Sequence, residues 1–260
     1  MKLRPVAVDK PWGRDRLRDS FGALQADGGR TGEIWFEEPE GRTLPLLVKY
    51  IFTSEKLSVQ VHPDDAQARA RGLPNGKSEC WYILAAEPEA ALALGFRESL
   101  GEGELRAAAL DGSIEALLDW KPVSPGDFFY VPAGTVHAIG AGVSLIEVQQ
   151  PSDTTYRLYD YGRPRALHLD EAVAVARREP YAADLAQHVD GGESRTLVPG
   201  PLFQVEHVVA VGPVGLLQDR DRFVLPLEGS ANGASPGECL FLKAGVPLDA
   251  CGRLLLAAAL

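Results

Sequence analysis

Short apolar runs recur along the chain, each bounded by glycine, proline or polar residues. Runs of this length that are rich in Val, Ile, Leu, Phe and Tyr predict β-strands. The predicted strands cover residues 45–52, 57–61, 79–84, 127–131, 143–148, 203–211, 223–227 and 238–242. Many short strands at this spacing favour a sandwich or a barrel over alternating β/α units. The pattern therefore predicts a mainly β protein.

Helical patterns are few and short. Residues 64–71 follow a proline, and residues 169–178 begin with acidic and end with basic side chains, as the helix dipole prefers. Residues 102–120 carry apolar side chains at helical spacing, and Gly112 is expected to divide them into two short helices. The chain is thus expected to contain only a few short helices.

A sequence echo suggests two related halves. PGDFFYVPAG at 125–134 is paralleled by PGECLFLKAG at 236–245, but His137 follows the first copy and the second has no histidine. Gly191 and Gly192 lie in a polar stretch between the halves. We predict a metal-binding domain over 1–190, with a helical insertion at about 102–120. A smaller degenerate β-domain without metal is predicted over 195–260.

Composition limits the classes of function. The 260 residues are 45% hydrophobic and 24% charged, which is typical of a globular chain, and the net charge is −10. The acidic balance argues against nucleic acids and anionic membranes as partners, but a local basic cluster could still bind a small anion. Three scattered cysteines do not form a disulfide framework, and no apolar run resembles a signal peptide or a membrane span. We therefore expect a cytoplasmic protein.

Metal-ligating residue types gather on three predicted strands. Gln60 and His62 are two residues apart in a strand, so their side chains share one face. Glu79 begins the next strand, with Lys77 two residues before it, and His137 follows a Pro-Ala-Gly turn. Each of these residues could equally be a half-buried or solvent-facing side chain when taken alone.

The segment around His137 resembles the second signature motif of the cupin β-barrels. Its pattern is Gly126, five residues, Pro132, one residue, Gly134, two residues and His137; the asparagine usual in cupins at the next conserved position is Ala141 here. The resemblance implies two cupin-type (jelly-roll) β-barrel domains. It also implies that Gln60, His62, Glu79 and His137 converge as an N/O ligand set suited to zinc, with manganese, iron or cobalt as substitutes.

The ordered motifs resemble the short bacterial form of class I mannose-6-phosphate isomerases. They are KPWG at 10–13, GEIWF at 32–36, LVK at 47–49, LSVQVHPDD at 57–65, GKSECWYIL at 76–84, VPAGTVHAIG at 131–140, IEVQQPSD at 146–153 and TYRLYDYGR at 155–163. The resemblance implies one zinc per chain, held by His62, Glu79, His137 and Gln60. It implies catalytic roles for Arg157, Lys77 and Glu147, and substrate-binding roles for Lys49, Ser58, Lys77 and Trp12.

The expected activity is interconversion of mannose 6-phosphate and fructose 6-phosphate through an enediol(ate), with a sugar phosphate as the small-molecule partner. The general base is left open between Lys77, Glu147 and the surroundings of His62, and Arg97 is a further candidate for the phosphate. Three alternatives remain: another sugar phosphate as substrate, a cupin that only binds sugar, and an iron dioxygenase. The presence of Arg157 argues against a cupin that only binds sugar. The dioxygenase is disfavoured because the Gln, Lys and Arg side chains have no obvious role in oxygen chemistry. Oligomeric state is not indicated.

The other histidines are expected to be structural. His168 is predicted to cap a helix or lie at the surface, and His188 lies in a polar loop. His207 alternates with apolar residues, so we expect a surface or hydrogen-bonded core histidine.

Overall fold

The computed structural model describes residues 1–17, 19–25 and 29–260. Its strands are β1 (Arg4–Arg14), β2 (Thr31–Glu37), β3 (Leu47–Phe52), β4 (Val59–Val61), β5 (Glu79–Ala86), β6 (Ala91–Phe96), β7 (Leu118–Pro122), β8 (Asp127–Val131), β9 (His137–Ile139), β10 (Val143–Gln149), β11 (Tyr156–Tyr159), β12 (Ala186–His188), β13 (Arg195–Val198), β14 (Phe203–Pro213), β15 (Arg222–Pro226), β16 (Ser230–Ala231), β17 (Leu240–Leu242) and β18 (Asp249–Ala259). The helices are α1 (Asp65–Arg69), α2 (Glu102–Asp111), α3 (Ile114–Leu117) and α4 (Leu169–Val175), with 3-10 turns at Asp19–Leu24 and Ala183–Leu185.

These strands form three antiparallel sheets. The first sheet has the order β1-β2-β3-β10-β5-β8-β12, and the second has the order β11-β4-β9-β6-β7. The third sheet has the order β13-β14-β18-β15-β17, with β16 paired to β18. The mainly β prediction is confirmed, and the strand predicted at 127–131 has the observed bounds.

The first sheet is buried on both faces. In β5, Cys80 and Tyr82 belong to an apolar cluster shared with the third sheet, whereas Trp81 and Ile83 belong to a cluster shared with the second sheet. Successive side chains of a strand point to opposite faces, so one strand supplies both clusters. This double burial accounts for the nearly continuous apolar runs of β3, β5 and β10.

The helices cover the outer face of the second sheet. Val59 and Val61 of β4 pack in one cluster with Leu105 of α2 and Val173 of α4. Gly112 ends α2 in the left-handed conformation at φ +83°, which divides the helical segment as predicted. The prediction of helix as far as residue 120 is wrong, because Leu118–Pro122 pairs with β6 as a strand.

The echo between the halves extends to the backbone. Gly126 and Gly134 flank β8 at φ +91° and +87°, and Gly237 and Gly245 flank β17 at +95° and +79°. The two segments therefore turn in the same way at matching positions. The division into domains at 1–190 and 195–260 stays a prediction. Leu3 donates its backbone N–H to the Cys239 carbonyl at 2.9 Å, so the chain start contacts the third sheet. Within the described residues, no helix is long and apolar enough to cross a bilayer.

Candidate metal centre and active-site cavity

Two facing rows of polar side chains form the site. In the second sheet, Arg157 lies opposite Gln60, and Gln60 lies opposite His137. Directly opposite residues share a face of the sheet, so the three form one row across β11, β4 and β9. His62 lies two residues beyond Gln60 and faces the same way.

The first sheet contributes the other row. Trp35 lies opposite Lys49, Lys49 opposite Glu147, and Glu147 opposite Trp81. This row crosses β2, β3, β10 and β5, and Glu79 precedes Trp81 by two residues on the same face. The rings of Trp81 and His137 are 5.3 Å apart edge to face, so the two sheets meet here.

Three potential ligands converge where the rows meet. One donor atom from each of His62, Glu79 and His137 lies within 4.8 Å of the others, and all three side chains are buried. The Nε2 atoms of His62 and His137 are 3.6 Å and 3.4 Å from the carboxylate oxygens of Glu79. The sequence prediction that these three residues converge agrees with this geometry.

Backbone carbonyls fix which nitrogen of each histidine is free. The Nδ1 of His62 is 2.8 Å from the Thr154 oxygen, and the Nδ1 of His137 is 2.9 Å from the Thr135 oxygen. A carbonyl can only accept a hydrogen bond, so each Nδ1 carries the proton and each Nε2 keeps its lone pair. Histidines that hold a metal are typically oriented in this way.

Burial keeps both imidazoles neutral. Desolvation and the Lys77 charge lower the pKa of His62 well below its usual value, and they lower the pKa of His137 to about 4. Burial and the Glu147 charge raise the pKa of Glu79, which the Lys77 ammonium opposes. The Oε1 of Glu79 is buried and has no hydrogen-bond partner among the described residues. Two neutral nitrogens and an unsatisfied carboxylate oxygen are a donor set that fits a divalent cation.

Gln60 and Lys77 connect this cluster to a cavity. The Gln60 Nε2 is 3.2 Å from the His137 Nε2, and the Ser58 hydroxyl donates to the Gln60 oxygen at 3.3 Å. The Lys77 Nζ is 2.9 Å from the His62 Nε2 and also donates to the Glu79 carboxylate. A positive group therefore already contacts two of the three donors.

The cavity beyond Gln60 and Lys77 has a volume of about 270 Å³. It is lined by Lys10, Trp12, Glu33, Trp35, Lys49, Ile51, Leu57, Ser58, Gln60, Lys77, Ile139, Glu147, Asp153, Thr155, Arg157 and Arg165. Five of these side chains are cationic, in a chain whose net charge is −10. The local excess of positive charge suits a small anionic ligand.

Ion pairs hold the deep end of the cavity. The Lys49 Nζ lies 3.1 Å from Glu147 and 3.9 Å from Glu33. The Trp81 indole donates to the second Glu147 oxygen at 3.0 Å. Burial would raise the pKa of Glu147, but the charges of Lys49 and Lys77 outweigh it and lower that pKa. Glu147 is therefore an ionised carboxylate with both oxygens occupied.

Arg157 lines the cavity without a carboxylate partner. Among the described residues it makes no ion pair, its Nε is buried without a hydrogen bond, and its Nη1 is 3.4 Å from the Ala166 carbonyl. Arg157 therefore does not form a surface ion pair with Asp153 or Asp160, although both are near it in sequence, and Asp160 pairs with Arg165 instead. His168 occupies the N-cap position of α4 without a side-chain capping bond, and its Nδ1 instead accepts the Arg157 backbone N–H at 3.2 Å.

The cavity contains residues that the sequence analysis did not select. Glu33 and Trp35 lie in the motif GEIWF, and their spacing of two was a usable signal because both face the same side. Lys10 and Arg165 gave no such signal. Arg97 does not line the cavity.

The remaining histidines lie away from the cavity. His188 is exposed and contacts Asp127 at 2.7 Å. His207 is fully buried, and its Nδ1 donates to the Glu193 carbonyl at 2.9 Å. The expectation of a hydrogen-bonded core histidine therefore agrees with the Nδ1 atom, whereas the Nε2 atom has no partner in the described chain.

Comparisons with known proteins point in one direction. The family model "Phosphomannose isomerase type I, catalytic domain" matches residues 3–101. The mannose-6-phosphate isomerase of Streptococcus mutans is 35% identical over 249 residues, covering 80% of this chain and 78% of that protein. One such enzyme of Bacillus subtilis is 44% identical over 212 residues, covering 66% of each chain.

Solved structures agree with these matches. The crystal structure of mannose 6-phosphate isomerase from Bacillus subtilis has a TM-score of 0.82 at 29% identity, covering 99% of this chain and 98% of its own. The structure of a variant of phosphomannose isomerase from Salmonella typhimurium has a TM-score of 0.75, and the match covers 99% of this chain and 98% of that one. Its identity of 19% makes this a likeness of fold alone.

Proposed function

Because this chain belongs to the type I phosphomannose isomerase family, we propose that it is a metal-dependent aldose–ketose isomerase. Its substrates are mannose 6-phosphate and fructose 6-phosphate, and the intermediate is an enediol(ate). The observation that carries the proposal is the buried cluster of His62, Glu79 and His137 behind a cavity with five cationic side chains.

We assign one zinc ion to His62, Glu79 and His137, with Gln60 beside them. The unprotonated Nε2 atoms and the unpartnered Glu79 oxygen support this assignment. Manganese, iron or cobalt could occupy the same N/O donors. When bound, the ion supplies Lewis acidity that polarises the oxygens near C1 and C2 of the sugar.

The isomerisation moves a proton between C2 and C1, and we assign this transfer to the Nζ of Lys77, which accepts the proton as a neutral amine after its ammonium form has released one to water. Glu147 is poorly suited to this role, because the neighbouring lysines lower its pKa and both of its oxygens are engaged. We assign Glu147 to holding Lys49 and Trp81 in the cavity wall. Arg157 stabilises the negative charge of the enediolate, since its guanidinium stays protonated and has no carboxylate partner among the described residues.

Substrate binding is assigned to residues of the cavity wall. Lys49 in β3 and Ser58 just before β4 are buried polar groups that line the cavity. Trp12 is 3% exposed and gives that wall an apolar surface for the sugar carbons. Such a mixture of a few fixed polar groups and an aromatic wall is typical of small-molecule sites.

We also propose that residues 195–260 form a degenerate domain without metal. His207 is the only histidine in this range, and the echo at 236–245 lacks an equivalent of His137.

The test is a coupled assay of fructose 6-phosphate formation from mannose 6-phosphate. The protein is assayed as purified, after chelation, and after addition of zinc. We expect activity that the chelator abolishes and zinc restores. Glucose 6-phosphate in parallel tests the neighbouring substrate, and unphosphorylated mannose tests the need for phosphate. Absence of turnover of mannose 6-phosphate by zinc-loaded protein would refute the proposal.

A further inference from the structure

The loop at residues 160–165 is organised around one buried carboxylate. Asp160 is 2% exposed, and its two oxygens accept from the Nε and Nη2 of Arg165 at 2.6 Å and 2.7 Å. The Nε of Arg163 lies 3.5 Å from the same carboxylate. A bidentate pair of this kind fixes the plane of the guanidinium as well as its position.

The loop is anchored next to the cavity wall. Arg163 donates to the backbone carbonyl of Lys56, two residues before Ser58. Tyr161 and Gly162 adopt positive φ values of +53° and +75°, which turn the chain back sharply between the aspartate and the two arginines. Arg165 is the residue of this turn that lines the cavity.

Arg165 lies at the open end of the cavity. Its side chain is 27% exposed, whereas those of Lys49 and Lys77 at the deep end are 7% and 5% exposed. Asp160 engages only the Nε and one Nη2 hydrogen, which leaves the Nη1 hydrogens available. Arg157 has no carboxylate partner in the part of the chain that the structure describes. Burial lowers its pKa, and the nearby Arg165 charge lowers it further.

The proposed substrate carries a phosphate group that suits the Arg165 guanidinium. In mannose 6-phosphate, the reacting carbons C1 and C2 are at the opposite end of the sugar from the phosphate. If the reacting end lies at the metal cluster, the phosphate reaches the open end of the cavity. Guanidinium groups bind phosphate oxygens in a bidentate manner.

We propose that Asp160 is a positioning residue that holds Arg165 at the cavity mouth, where Arg165 binds the phosphate of the substrate. This inference rests on the proposed function. Lys10 has a similar exposure of 27%, but Glu33 lies 3.3 Å from its Nζ and also engages Lys49. Because Lys49 shares the Glu33 carboxylate, Lys10 is held in place less firmly than Arg165 is by Asp160. A lysine also lacks the planar fork of a guanidinium, so Lys10 is the poorer phosphate site.

The test measures binding of D-mannitol 1-phosphate to the zinc-loaded full chain by isothermal titration calorimetry. This ligand has the substrate's phosphate but no carbonyl, so it cannot be turned over. The variants are Asp160→Asn, Arg165→Ala, the double variant of these two, and Lys10→Ala. Asp170→Asn is the matched control, because Asp170 pairs with Arg106 at 2.7 Å on the exposed surface.

We expect Arg165→Ala to weaken binding by about 10- to 100-fold, the effect of losing hydrogen bonds to a charged group. Asp160→Asn should weaken it about 10-fold alone and less than about twofold in the Arg165→Ala background, because the carboxylate acts through Arg165. In turnover, Asp160→Asn should raise KM for mannose 6-phosphate and leave kcat within about threefold, since Asp160 does not contact the reacting carbons. Asp170→Asn should match the wild type.

Unchanged binding in Arg165→Ala, or an equal loss from Asp160→Asn in both backgrounds, would overturn the inference. The inference would also be overturned if Lys10→Ala weakened binding and Arg165→Ala did not, because the phosphate would then bind at Lys10. Arg165-dependent binding in a wild type that does not isomerise mannose 6-phosphate would support this inference and refute the proposed function.

Discussion

Replacement of Arg157 by alanine separates a catalytic role from a structural one. The side chain makes no ion pair among the described residues, and its one hydrogen bond, to the Ala166 carbonyl, is long at 3.4 Å. Its loss should lower the free energy of unfolding by less than about 1 kcal/mol. For a chain of this length that corresponds to a melting temperature within about 2–4 °C of the wild type.

The effect on turnover should be much larger. Removing one donor that stabilises transition-state charge typically lowers kcat by about 100- to 1000-fold, or about 2.7–4 kcal/mol. The coupled mannose 6-phosphate assay measures kcat and KM, and metal content is measured on the same preparation. We expect kcat to fall by that factor, with unchanged metal content and KM within about threefold.

Arg157→Lys is the matched control because it keeps the charge and loses the planar fork. It should recover part of kcat. A near wild-type kcat in Arg157→Ala would refute a catalytic role. A rise in KM with kcat unchanged would instead assign Arg157 to uniform binding of the substrate.

Three further predictions concern the metal, the buried ion pair and the backbone. Chelation should lower the urea midpoint as well as activity, since a metal at 100 times its Kd stabilises the native state by about 2.7 kcal/mol; equal midpoints would argue against a bound metal. Glu147→Gln should lower the free energy of unfolding by about 3–5 kcal/mol, because Lys49 would remain buried without its closest partner. Adding Lys49→Met should restore part of the lost stability, and urea titration of the single and the double variant measures both effects. Gly134→Ala should lower stability by about 1–2 kcal/mol because its φ is +87°. Gly103→Ala, in α2 with open space around it, should raise stability by about 0.5–1 kcal/mol. Thermal unfolding measures both glycine variants, and equal changes in their melting temperatures would contradict the backbone argument.

Residue spacing within single strands was enough to predict much of the site. Gln60 and His62 face the same way because they are two apart in β4, and Glu79 shares a face with Trp81 in β5 for the same reason. The motif around His137 added the third potential ligand through its resemblance to cupins. The alternation of side chains along a strand predicts which residues share a face, but it does not predict which faces of different strands come together.

Residues that the sequence analysis missed depend on contacts between distant segments. Arg165 reaches the cavity because Asp160 holds it, and both lie in a turn whose shape depends on positive φ at Tyr161. Lys10 approaches the same cavity from β1 through Glu33. A charged side chain in a loop or an edge strand resembles any solvated one until its partner is known. The strand at Leu118–Pro122 was missed for a similar reason, because pairing with β6 overrides its helical pattern.

The same alternation links the third sheet to the chemistry of the first. In β3, Lys49 and Ile51 face the cavity side, while Tyr50 and Phe52 face the third sheet. The strand that carries these cavity residues therefore has a strongly apolar opposite face. A sheet with such a face exposed would offer a large aggregation-prone patch to solvent. Phe203 and Leu255 of the third sheet belong to the same apolar cluster as Tyr50 and Phe52, and they bury this face. The third sheet thus supports the site by burying the other face of the strands that line the cavity, although no described residue of that sheet lines the cavity itself.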